Sequence, residues 1–548
     1  MTANDMPARR PWTISLDAPF ALRRDGAPAL LVGGQVFNSA SSSPRAIADS
    51  FAHIGGLGVN VVLSPVSWAL TEPAESEYDF ALVDIMLEEA RKHRLRLVLL
   101  WFGAFKNASS TYAPTWVRRN PGRFPRVVVE PKSMQAFSYE GATARPVLSV
   151  FSPELREADA TAFEALIRHL VDADPDGTVV MVQVENESGL LSDSRDRNQL
   201  AEVAWNAAVP SELIEHVRAT DPETTSARTL WDANGNAECG PWYEVFGDTP
   251  AAEEVFMAWA IASYVEHLAR RGQAIADIPM YANAWLGPQP GQDSPGQYPS
   301  GGPTSRVLDI WRAAAPSLSF LGPDIYVDDA DSAMAQYATG IQPFFVPECR
   351  LSAAELVRAI GTYGAIGWSG YGLDRANPEA QLAAALTFLA ALEGEIAQAQ
   401  PRGSICAVVI EPGVEVEARH IDGIDNTARG ALALFQRMML DAGVHVPATE
   451  LIVPDETLPD AEVTHAGDKR PFALIAGVGD DEFLLIGREL TLDFFAGDAR
   501  VEVDSVQELI LEEGRVVAGR VLNGDERLLI LPTDRVGAAR VRLIRIQP

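Results

Sequence analysis

Between residues 28 and 397, short apolar runs alternate with amphipathic segments, and this alternation restricts the fold more than any other feature. Ala29–Phe37 (ALLVGGQVF) reads as a buried strand and Ala46–Ile54 as a helix. Val59–Val66, Leu95–Phe102, Thr178–Glu187, Ile278–Trp285, Leu318–Tyr326, Pro343–Glu348 and Ala365–Ser369 read as seven further strands. Helices are predicted at Phe80–His93, Glu154–Asp172, 199–219, 251–272, Ser305–Ala314, Ala353–Gly361 and Glu379–Ala399. Strands separated by helices call for a parallel sheet, because parallel neighbours need a crossover. Eight such units in about 370 residues favour an α/β fold of the (β/α)8 TIM barrel kind. The other candidate is a doubly wound sheet, but no GxGxxG or Walker-type loop follows any strand.

After Gln400 the pattern changes. Cys406–Ile410, Phe472–Gly477, Phe483–Ile486, Ala499–Val503, Arg527–Pro532 and Val541–Ile546 read as short strands. Asn523-Gly524 and Gly479-Asp480-Asp481 are hairpin signals between them. The expected layout is an N-terminal extension over 1–27, a barrel over 28–400, and a C-terminal β-sandwich-like domain over 401–548. Gly103 to Pro153 is long, irregular and rich in Pro, Ser and Arg, a stretch of the kind that carries function.

The 75 acidic residues outnumber the 44 basic ones, for a formal net charge of −31. The acid is spread along the chain, which argues against nucleic acid or an anionic membrane as partner. A neutral substrate fits better, the plainer reading being that the charge serves solubility, and a homo-oligomer stays open. The cysteines Cys239, Cys349 and Cys406 form no CxxC pair and no disulfide framework. No paired His spacing supports a metal, so neither metal nor cofactor is expected. Met1–Trp12 lacks an apolar signal core and no run is long enough to span a membrane, so a cytoplasmic location is expected.

In a barrel of this kind, chemistry sits at the C-terminal ends of the strands. Two strand ends carry carboxylates. The fourth strand closes on Gln183-Val184-Glu185-Asn186-Glu187, and the seventh on Phe344-Phe345-Val346-Pro347-Glu348. Strand alternation puts Glu185 and Glu187 on one face, with Glu187 last and nearest the mouth. Two carboxyl groups about 5–5.5 Å apart are what a retaining glycosidase uses, one as acid/base and one as nucleophile. Glu187 and Glu348 are the candidates for these two roles.

VQVENESG resembles the QVENEYG motif of glycoside hydrolase family 35, the β-galactosidases. LVGGQVFN, GVNVVLSPVSW with Glu72-Pro73 and Tyr78-Asp79-Phe80, MYANAWL, and GWSGY are similar to a bacterial branch of that family. The resemblance covers about residues 28–397, and a β domain is often appended in that branch. Two departures stand out: Ser188 replaces the family's Tyr, and PECR replaces its usual nucleophile context. The resemblance implies a clan A retaining exo-β-galactosidase in which Glu187, after Asn186, is the acid/base, Glu348 is the nucleophile, and Asn186 binds a sugar 2-hydroxyl. By position and residue type, Tyr326 is expected to orient Glu348 and Trp368 to form a platform under the ring. Trp68, Trp101, Asn38 and Asn283 are further candidate sugar contacts, and Cys349 is expected to be a buried, inert thiol. A β-glucoside-active hydrolase or a transglycosylase uses the same chemistry. A non-catalytic carbohydrate-binding barrel is the alternative from another class.

Overall fold

The computed structural model describes residues 8, 10–130, 147–221, 226–376, 381–430, 470–497 and 499–546. Residues 131–146 of the long irregular stretch and the first residues of the predicted helix Glu379–Ala399 lie outside these.

Three short strands, β1 (Trp12–Ile14), β2 (Leu22–Arg24) and β3 (Ala27–Ala29), form a small sheet in the segment expected to be an extension. Eight more strands follow: β4 (Leu31–Gln35), β5 (Val61–Ser67), β6 (Arg96–Lys106), β7 (Val179–Asn186), β8 (Met280–Trp285), β9 (Phe320–Ile325), β10 (Glu348–Cys349) and β11 (Gly367–Tyr371). They make one sheet in the order β10-β9-β8-β7-β6-β5-β4-β11, with parallel registers such as Trp368↔Val32 and Leu100↔Gln183. A parallel bridge between Val346 and Trp368 joins the two ends of that order. This is the (β/α)8 barrel. Its strands are buried almost throughout because helices cover the outer face while side chains fill the inside.

The seventh strand is much shorter than predicted. Pro343–Glu348 was expected, but only Glu348–Cys349 pairs as a ladder. Pro347 lacks an N–H, which interrupts the ladder between the Val346 bridge and Glu348. The helix Ala330–Tyr337, which leads into this segment, is not among those predicted.

Packing divides the chain into two compact units, residues 1–14, 36–49 and 62–329, and residues 15–35, 50–61 and 330–548. In the first unit, β7 is tied down at its start by Asp174. That fully buried carboxylate takes Arg10 at 2.5 Å, Arg91 at 2.9 Å and the backbone N–H groups of Thr178 and Val179. Such a carboxylate is stable when buried only because each oxygen is multiply paired.

The second unit contains the C-terminal strands. β12 (Ile405–Val409), β13 (Val416–Ile421), β14 (Ile424–Gly430), β15 (Phe472–Gly479), β16 (Glu482–Arg488), β17 (Leu490–Phe495), β18 (Arg500–Glu512), β19 (Arg515–Val521) and β20 (Gly537–Ile546) form two sheets. Their orders are β12-β15-β16-β20-β18-β19 and β13-β14-β17. Val408, Ile424, Ile475, Leu485, Leu490 and Val541 share one apolar core. The predicted strand Arg527–Pro532 is instead a 3-10 turn at Gly524–Leu529. The sheets meet the helix Ala353–Gly361 through Glu355, Arg358, Glu411 and Arg470, whose charges pair with one another.

In the first unit, Glu254 on the helix Pro250–Gln273 is buried and accepts a hydrogen bond from the Tyr298 hydroxyl at 3.1 Å. Burial pushes its carboxyl up to about 7 from 4.5. A folded-state value above the unfolded one means the contribution is fully present below about pH 4.5 and is lost as pH rises through about 7. The loss amounts to about 3 kcal/mol. Glu254→Gln is therefore expected to gain on the wild type between pH 5 and 8 in thermal melts. A constant difference across that range would contradict it.

Candidate active site

The site in the first unit is built on a defect in the β6–β7 ladder. Trp101 pairs with Val184 and Lys106 with Asn186, so the intervening residues of β6 bulge out. A bulge leaves backbone N–H groups unpaired. Here side chains take them. Glu185 accepts from Ala104 at 3.1 Å and Phe105 at 2.7 Å, and Asp159 accepts from Ala104 at 3.0 Å. Asp159, on the helix Pro153–Ala173, also accepts from Trp101 Nε1 at 2.9 Å and from the Tyr264 hydroxyl at 2.8 Å. Gly103 is required by this crowding, because a Cβ there would lie 2.4 Å from Trp101 Nε1 and 2.6 Å from Glu185 Oε1.

Glu185 and Asp159 are both fully buried and face each other. Burial raises both carboxyl groups, Glu185 well above its usual range, and for Glu185 the neighbouring Asp159 charge adds to it. Two adjacent carboxylates in a dry site cannot both ionise, so the pair retains a proton between them.

Alternation fails at this point. Glu185 and Glu187 both have left-handed backbones, with φ of 62° and 44°. The expectation that they share a face is corrected: Glu185 reaches the helices, while Glu187 lies beside Lys106. Its Oε2 is 4.0 Å from the buried Lys106 ammonium, which also sits 4.8 Å over the Phe102 ring. The turn after Lys106 clamps the end of β7. Asn107 N–H donates to the Asn186 carbonyl and Ala108 N–H to the Glu187 carbonyl, each at 3.2 Å. Asn107 and Ala108 are themselves left-handed, at φ of 51° and 50°. Four non-glycine residues in this conformation within two touching segments are strain of the kind that functional sites hold.

Asn186 is 1% exposed, and among the described residues neither its Oδ1 nor its Nδ2 has a hydrogen-bond partner. Leaving a buried amide unmade costs about 1–3 kcal/mol per group, so such an atom pair is suited to a ligand hydroxyl. Asn283 on β8 does something other than the expected sugar contact. Its Oδ1 accepts from Glu187 N–H at 2.9 Å and its Nδ2 donates to Asp324 at 2.5 Å. Through these two bonds it holds Glu187 in place. Tyr326 follows β9 and is half-exposed. Asn38 is partly buried, with no partner for its Oδ1 among the described residues.

Two tryptophans are corrected to packing roles. Trp101 Nε1 is held by Asp159, and its ring packs edge-on against Phe163. Trp68 Nε1 donates to Glu72 at 2.7 Å, and its ring meets Trp116 edge-on. Both are fully buried. Lys106, Asp159 and Tyr264 went unnoticed in the sequence. Lys106 had a usable signal, since it is a charged residue closing an apolar strand, as Glu187 and Glu348 are.

In the second unit, Glu348 is buried at the start of β10. The backbone before it is pinned to β11 by Val346 N–H to Gly367 and by Ser369 N–H to Val346, at 3.2 and 2.9 Å. Cys349 is buried and its thiol points to the Ser369 carbonyl at 3.4 Å. Trp368 is 0% exposed, so it lacks the open ring face that a platform requires. Its Nε1 has no acceptor among the described residues. No cluster of three or more metal-ligating side chains occurs among the described residues.

Residues 37–213 match the model of the glycoside hydrolase family 42 β-galactosidases, and residues 382–531 match a domain of unknown function, DUF5597. The first match takes in Asn186 and Glu187 and ends before Glu348. No curated protein matches the chain. Among solved structures, a β-galactosidase from the psychrophilic Marinomonas ef1 aligns at 13% identity with a TM-score of 0.42. The alignment covers 65% of this chain and 59% of that one, less than two thirds of that enzyme's length. The stretch that carries Asn186 and Glu187 is thus similar to a β-galactosidase family model.

Proposed function

We propose that the protein is a retaining exo-β-glycosidase that removes terminal β-D-galactosides by double displacement. The observation that carries this reading is the Asn186–Glu187 step at the end of β7: a buried, unspent amide next to a carboxylate held in a strained backbone. The β-galactosidase model matches this same stretch.

In this reading Glu187 protonates the glycosidic oxygen while Glu348 attacks the anomeric carbon. The C–O bond to the leaving group breaks and an ester forms between the sugar and Glu348. Glu187, now a carboxylate, takes a proton from water, and the hydroxide displaces Glu348 from the opposite face. Two inversions return the starting configuration. The Lys106 ammonium stabilises the negative charge that Glu187 carries between the two steps. Membership of family 35, rather than the matched family 42, is supported by the motif VQVENESG and by the segments LVGGQVFN, GVNVVLSPVSW, MYANAWL and GWSGY.

Turnover of a panel of nitrophenyl glycosides tests the substrate, with the β-galactoside expected to be the fastest. For the role of Glu187, the Glu187→Gln variant is expected to be slow in water and to recover with added azide, giving β-galactosyl azide. Azide needs no general base, so it replaces what the variant lost. A variant as active as wild type, or one that azide leaves unchanged, would contradict the assignment.

A further inference from the structure

The loop that follows β7 runs from Glu187 into a polar cleft of about 580 Å³, a size typical of ligand sites. Glu130, Glu202, Asp248 and Glu253 line it together with Arg195 and Arg197. Both guanidinium groups are already engaged. Arg195 pairs with Glu202 and Glu253, and Arg197 with Asp193 and Glu253. The lining therefore keeps an excess of carboxylate, which disfavours an anionic ligand. Carboxylates are also strong acceptors for hydroxyl groups.

Aromatic surface completes the wall. Trp205 closes the helix Gln199–Trp205, and Tyr243 lies on the short helix Trp242–Val245, their ring centroids 6.4 Å apart. Tyr243 is 38% exposed, an open ring next to acidic acceptors, and Asn206 adds an amide. A neutral, polyhydroxylated ligand with apolar C–H faces satisfies both kinds of surface. Loops after barrel strands lie on the catalytic face. Arg195 stands eight residues past Glu187, so the intervening chain spans at most about 28 Å.

We infer that this cleft is a subsite for the leaving-group side of an extended oligosaccharide, with Tyr243 as its stacking surface. The inference rests on the glycosidase reading above. The test compares wild type with Tyr243→Ala and Asn206→Ala, both at the surface, on 4-nitrophenyl β-galactoside and on β-1,4-galactotetraose. Tyr243→Ala is expected to lower kcat/KM on the tetrasaccharide by about tenfold through KM. The aryl galactoside, which cannot reach the cleft, should be hydrolysed at the wild-type rate. Equal kcat/KM on the tetrasaccharide for all three proteins would overturn the inference, as would a parallel loss on both substrates. A wild type inert on both substrates would overturn the glycosidase reading itself, and this inference with it, which is a distinguishable result.

Discussion

Replacing Glu348 by Gln is expected to lower kcat on an aryl β-galactoside by about 10⁴-fold, because the amide cannot form the glycosyl ester. The change preserves shape and removes charge, and Glu348 is buried at the start of a two-residue strand. Circular dichroism and the unfolding midpoint should therefore stay close to wild type, separating loss of chemistry from loss of fold. In Glu348→Ala, whose short side chain vacates the face from which Glu348 attacks, azide should restore turnover with inversion, giving the α-galactosyl azide. The opposite stereochemistry from Glu187→Gln makes the two variants a matched pair. Activity within tenfold of wild type would remove Glu348 from the mechanism.

The largest effect on stability is expected at Asp159, which touches no substrate in this account. Asp159→Ala orphans two buried donors, Trp101 Nε1 and the Tyr264 hydroxyl, leaves Ala104 N–H to Glu185 alone, and leaves Glu185 without its partner. Removing one member of such a buried network costs about 3–5 kcal/mol. Denaturant unfolding of the variant measures it, and a loss under about 1 kcal/mol would contradict the bulge being held by these side chains. The pair also has a pH signature. Both carboxyl groups are raised in the folded state, so the stabilisation is complete at low pH and is lost as pH rises through their folded values. Asp159→Asn, which needs no shared proton, should show a flatter decline toward alkaline pH.

The barrel was legible in the sequence because its signal is redundant. Each strand is a buried apolar run and each covering helix is amphipathic, so the helix Ala353–Gly361 falls where its periodicity puts it. Glu187 and Glu348 were legible for a related reason, as charges that close apolar runs. What stayed hidden depends on backbone geometry. The bulge in β6 extends that strand to Lys106, beyond the Phe102 at which its apolar run ends, and nothing local in FGAFKN marks it. Without the bulge, Glu185 has no N–H groups to satisfy and would share a face with Glu187, as alternation predicts. Trp101 and Trp68 were misread for want of partners: an indole committed to Asp159 or Glu72 through contacts made by the fold looks, in sequence, like one available to sugar. Asn283 was legible by its strand end, but its link between Glu187 and Asp324 depends on contacts made by the fold. The C-terminal turn Gly524–Leu529 was misread as a strand because Ile530 and Leu531, which follow it, enter the core without pairing in a ladder.

The central claim is that Glu348 forms a covalent bond to the sugar during turnover. A 2-deoxy-2-fluoro-β-galactoside with a good leaving group slows both steps, and the leaving group restores the first, so the ester accumulates. Mass spectrometry of the intact protein should show one added fluorogalactosyl group, and peptide mapping should place it on Glu348. A label on another residue, or steady turnover of β-galactosides with no label and inversion at the anomeric carbon, would contradict the account.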